Sequence, residues 1–183
     1  MSVRPSTQVA VVMRCERITN RWQPWRWVLA EVVPHEPAFG AEPRKLRDDA
    51  EGMSWLFPDF EVALFRDEAE GYWLNLESPA PCWFVLWRLD EVQEPDAIPL
   101  ARPVAVSLSY HEAGRWLDAQ ETVEQVPAPE PVLDTLRAFV AEHYVPEPRR
   151  RKRPDSFQPL QDRFGNPASV STGKPQRGGG GHG

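Results

Sequence analysis

The chain has 183 residues and a mass of 20.9 kDa, the length of one domain or at most two small ones. Its charge is divided: residues 149–183 carry eight basic and two acidic residues, which leaves 13 basic and 25 acidic over 1–148. An acidic body argues against a nucleic-acid surface on the folded part, two cysteines exclude a disulfide scaffold or an all-cysteine metal site, and the longest apolar run, Cys82 to Trp87, is too short to span a membrane. The apolar stretch Val9 to Met13 is likewise too short for a signal peptide, so the expectation is a soluble cytoplasmic protein.

Thr7 to Ile18 reads as a first strand. It is apolar on both faces and therefore expected to be central. After a turn at Asn20 to Pro24, the alternation Trp25, Trp27, Leu29 predicts a second strand ending at Pro34. His35 to Gly52 reads as a polar loop in which Arg44 to Asp49 has room for one helical turn. Ser54 to Phe57 and Phe60 to Arg66 read as two strands joined by a turn at Pro58-Asp59. Tyr72 to Leu76, Cys82 to Leu89 and Val104 to Leu108 complete a run of short strands.

Ser109 and Glu112 then stand at capping-box spacing and predict a short helix to about Ala119. Thr122 to Val126 reads as a last strand. Val132, Leu133, Leu136, Phe139 and Val140 recur at helical spacing after Pro129 and Pro131, predicting a helix to about Tyr144. Together these predict a mainly β (α+β) domain over 1–148. Its form is a small antiparallel barrel or sandwich of about six to seven strands with two helices in the C-terminal half. Residues 149–183, basic and rich in Gly and Pro, read as a disordered tail.

Catalytic motifs are absent. There is no Gly-x-Ser-x-Gly elbow, no phosphate-binding Gly loop and no His-Glu-x-x-His. The four histidines lack zinc-ligand spacing, and Asp67, Glu68 and Glu70 lack the spacing of a calcium loop. No cofactor or metal is expected. The tryptophans read chiefly as core, with Trp22, in a turn, the one expected to be exposed. Arg66, Glu68, Tyr72 and Asn75 flank one predicted turn, where a hairpin would let them converge; the plainer reading is a cross-strand Arg–Glu pair with a turn-stabilising Asn. The run Arg149, Arg150, Arg151, Lys152, Arg153 suits an anionic partner.

Several segments, in order, resemble one bacterial family. They are Val9 to Arg17 followed by Asn20-x-Trp22-x-x-Trp25; Leu64-Phe65-Arg66-x-Glu68-x-x-Gly71-Tyr72-x-x-Asn75-Leu76; Ser109-Tyr110-His111-Glu112-Ala113; Val126-Pro127-x-Pro129; Phe139-Val140-x-x-His143; and the basic run. The family is the one catalogued as domain of unknown function 3305. The third segment departs from its Pro-Tyr-Glu-Ala stretch by carrying His111. The resemblance spans roughly Gln8 to Arg153.

It implies an origin beside molybdenum- or tungsten-dependent formate dehydrogenases and their chaperones. The implied role is a non-catalytic accessory protein in assembly or cofactor maturation, with a formate dehydrogenase subunit or its chaperone as partner. Arg17, Trp22, Trp25, the Arg66–Asn75 segment and the basic tail are the expected contact residues. Two other readings stand beside this one: nucleic-acid binding through the tail, disfavoured by the acidic body and scarce aromatics, and an enzyme with its site in a barrel mouth.

Overall fold

The computed structural model describes residues 3–146. The seven strands form two antiparallel sheets, ordered β2-β1-β4-β3 and β6-β5-β7. β1 (Ser6–Arg17) is flanked on both sides, as its two apolar faces predict. Val9, Ala10, Val11, Met13 and Cys15 are all buried along it. β2 (Trp25–Pro34) folds back on β1 as a hairpin.

The next segments correct two expectations. Arg44–Asp49 is a strand, β3, rather than a helical turn. It has no apolar spacing to bury, and every residue is exposed. Its backbone is satisfied by pairing with β4, while Lys45 pairs with Asp48 and Arg47 with Asp49 and Glu51. A charged edge of this kind discourages further strand pairing. The expected turn at Pro58-Asp59 does not break the chain either: β4 runs unbroken over Gly52–Ala63. The irregularity appears as a bulge opposite Val9 to Val11, with Asp59 at φ 70. Pro58 is accommodated because β3 pairs only as far as Leu56, leaving that side of β4 without a neighbour.

A third helix replaces another expected strand. After a 3-10 turn at Arg66–Glu68, α1 covers Ala69–Leu76. The alternation in Tyr72 to Leu76 fits a strand, but Ala69, Tyr72 and Asn75 are buried at helical spacing. Asp67, Glu68 and Glu70 place negative charge at the helix N-terminus, where the backbone dipole favours it.

β5 (Cys82–Leu89) matches its predicted span, and β6 (Ala101–Ser107) starts three residues before the expected Val104, because Pro103 is tolerated on an edge strand. α2 (Tyr110–Asp118), β7 (Thr122–Pro127) and α3 (Glu130–His143) fall where the sequence predicts them.

The sheets face each other across Val11, Met13, Trp27, Phe57 and Val85 and do not close into a barrel. The barrel alternative therefore fails among the described residues. A second cluster, with Val9, Tyr72, Trp83, Leu136 and Phe139, packs α1 and α3 over one end of the sheets. Cys15 and Cys82 are free, buried and in separate clusters. No helix among the described residues is long and apolar enough to cross a membrane.

Candidate functional site

The two segments Leu64–Leu76 and Ser109–Ala113 meet where α1 packs against the start of α2. Glu68 is the junction: its carboxylate accepts the Ser109 hydroxyl and pairs with Arg115 of α2. Ser109 also accepts from the Glu112 N–H at 3.2 Å, capping α2 as the spacing predicts. The reciprocal arm of the cap takes an extra step. Ser109 N–H donates to Ser107 Oγ at 3.0 Å, and the Ser107 hydroxyl donates to the Glu112 carboxylate. Gly71 makes room, because a Cβ there would overlap Ser109 Oγ and sit 3.2 Å from His111 N. Ser109 is fully buried, and His111 turns to Glu70, 3.6 Å away. The hydroxyl therefore works as a hydrogen-bond bridge between helices.

Asn75 and Tyr72 lie in the interior. Asn75 donates to Cys82 O and Leu108 O, each at 2.9 Å, and accepts from Cys82 N at 3.1 Å. Tyr72 Oη accepts from the Phe65 N–H at 3.0 Å. Burial pushes the Tyr72 hydroxyl up to about 12; the Phe65 N–H opposes this and the nearby Glu68 and Glu112 charges add to it. Burial likewise raises the Cys82 thiol to about 11. Of the four residues expected to converge, only Arg66 is exposed; Glu68 is half-buried and engaged.

Arg17, Trp22 and Trp25 gather at the far end of the β1–β2 hairpin. Arg17 is cross-strand partner to Trp25, whose ring leans on the inter-sheet core. The loop between them is closed by Ile18 N–H donating to Pro24 O at 3.0 Å. Asn20 Oδ1 accepts from Trp22 N at 2.9 Å and Gln23 N at 3.4 Å, an Asx turn that fixes the tip. Trp22 stands on it 89% exposed, with the Arg21 guanidinium 5.9 Å from its ring. Neighbouring Trp27 is instead buried, donating Nε1–H to Pro99 O at 2.8 Å.

The expected contact residues thus fall into two groups. Arg17 ends β1, whereas Pro5, just before β1, accepts from Leu64 N–H beside Arg66. At about 3.3 Å per residue, β1 separates the two groups by roughly 35 Å. Arg149, Arg150, Arg151, Lys152 and Arg153 lie outside the described residues.

One engaged residue has no signal in the sequence. Glu124 of β7 accepts from Trp87 Nε1–H at 2.7 Å and from the Leu29 N–H of β2 at 3.0 Å, joining the two sheets. Its partners lie 37 and 95 positions away, so nothing local marks it. No cluster of metal-ligating side chains occurs among the described residues.

No curated protein and no solved structure matches the chain. The model of a family described as "protein of unknown function (DUF3305)" matches residues 8–153, most of the length and both of the groups above, and the chain belongs to that family.

Proposed function

We propose that the protein is a non-catalytic accessory factor that grips a protein partner with the Trp22 end of the β1–β2 hairpin. The partner we propose is a subunit or maturation chaperone of a molybdenum or tungsten formate dehydrogenase. The exposed Trp22 carries the reading. A tryptophan ring offers a large apolar area, and leaving it in water forgoes a burial gain of roughly 2–3 kcal/mol. The Asx turn at Asn20 and the backbone bond at Ile18 hold the tip before any partner arrives, which lowers the ordering cost of association. Arg21 and Arg17 beside it suit a tryptophan–arginine anchor of the kind that dominates binding energy. The identity of the partner comes from the family resemblance.

The test is affinity capture of the full-length chain from its native cells, beside Trp22→Ala and a chain ending at Pro148. Formate dehydrogenase subunits or their chaperones should be enriched with the wild type. Loss of a central tryptophan anchor should weaken the purified pair by about 30-fold or more, the factor for about 2 kcal/mol. Undiminished binding by Trp22→Ala would move the surface elsewhere. Absence of any formate dehydrogenase protein would remove the partner. Nucleic acid recovered only when the basic run is present would favour the alternative reading of the tail.

A further inference from the structure

At the end of β1 remote from Trp22, a cavity of about 350 Å³ opens. Arg4, Arg66 and His143 line it, coming from the segment before β1, the 3-10 turn and the last turn of α3. Each support is visible. The Arg4 guanidinium lies 4.4 Å above the Phe65 ring, and the His143 ring is 4.4 Å from that of Phe139. Pro5 O, next to Arg4, accepts from Leu64 N–H at 2.8 Å. Below them, Tyr72 Oη accepts from Phe65 N–H, and its ring meets Phe139 edge-on at 5.8 Å. The buried Tyr72 therefore braces both the Arg66 and the His143 walls.

Five of the twelve arginines among the described residues form no ion pair with another described residue, and two of the five meet at this cavity. Seven arginines among the described residues pair with carboxylates. Arg4 and Arg66 share a cavity and have no ion-pair partner among those residues, although Asp67 also lines the wall. His143 adds a ring nitrogen to the wall, and Glu142 lies 3.6 Å from its Nε2.

We propose that this cavity binds the phosphate group of a small phosphomonoester. Two guanidinium forks match a dianion in charge and in donor geometry better than a single carboxylate does. The volume sits at the small end of ligand pockets, about 300–1,000 Å³, which fits a compact metabolite. This site is independent of the partner reading, and either can fail alone.

The experiment is titration of the full-length chain with inorganic phosphate and with glycerol 3-phosphate, by calorimetry and by following the His143 ring protons in NMR. Both probes should bind, shift the His143 resonances, and bind at least about 10-fold more weakly to Arg4→Gln and Arg66→Gln, the loss of one charge-assisted contact. Arg44→Gln, on the exposed edge strand β3, should behave as wild type. Thermal melts of the variants should match wild type, since both side chains are at the surface. Three results would overturn the proposal: no binding at millimolar probe, binding unchanged in both variants (which would place phosphate on the 149–153 run), or acetate binding more tightly than either phosphate.

Discussion

Asn75 shows how a polar side chain can do the work of a core residue. It joins α1 to the first residue of β5 and to the chain leaving β6, using both ends of its amide. Asn75→Ala leaves two buried carbonyls and one N–H without that partner. A loss of about 3 kcal/mol is expected in urea unfolding at neutral pH, from penalties of roughly 1–3 kcal/mol per unsatisfied group with partial relaxation. The residue was visible in the sequence as part of a polar set with Arg66, Glu68 and Tyr72. Its role was not, because Leu108 lies 33 positions away and no spacing encodes that meeting. Cys82 and Tyr72 supply a second prediction. Both are held neutral by burial, with pKa values raised from 9.0 to about 11 and from 10.0 to about 12. In the unfolded chain they ionise earlier, so their contribution is intact below pH 9 and is lost as the pH climbs from 9 to about 12. Urea midpoints should fall across that window, and Cys82→Ala should flatten its lower half.

Among the elements that differ from expectation, α1 changes type from strand to helix, and the reason lies in its brevity. Eight residues give barely two turns, and Tyr72, Leu74 and Leu76 alternate well enough to imitate a strand. What decides for helix is tertiary: Ala69 and Tyr72 fill the space beneath α3, and Gly71 lets α2 approach. The longer α3, with its apolar stripe from Val132 to Val140, is legible from spacing alone. The two helical glycines near this junction should respond oppositely. Gly71→Ala drives a methyl into Ser109 and should cost about 2 kcal/mol or more, in line with overpacking of a tight interior. Gly114, in α2, has nothing within 4 Å of a would-be Cβ. Gly114→Ala should raise stability by about 0.5–1 kcal/mol through helix propensity. Paired thermal melts of the two variants check both signs at once.

For the molecule as a whole, strand content can be read from alternation and the acidic body from composition, but the choice between barrel and two sheets cannot. That choice depends on whether edge strands meet, and the strand pattern is the same either way. Surface ion pairs add a pH dependence of the opposite sense to the alkaline one. The hydrogen bonds of Arg26 and Arg14 hold Glu16 below the ordinary carboxylate range, and those of Arg88 and Arg47 do the same for Glu121 and Asp49. Their contribution is present above pH 4.5 and disappears as the pH falls through the lowered values. The pairs are exposed, so the acid-side decline of the melting temperature should be shallower in 0.5 M salt than at low ionic strength.

The bond from Glu124 to the Leu29 N–H gives one amide an unusual meaning. The β2 amides that face β1 are protected by the hairpin, but this one points off the sheet edge and is covered by a carboxylate from the other sheet. Its exchange with deuterium is therefore a clock for the parting of the two sheets, separate from fraying of either. With Glu124→Gln the clock should keep running slowly. With Glu124→Ala it should run fast at Leu29 while the hairpin amides around it stay slow.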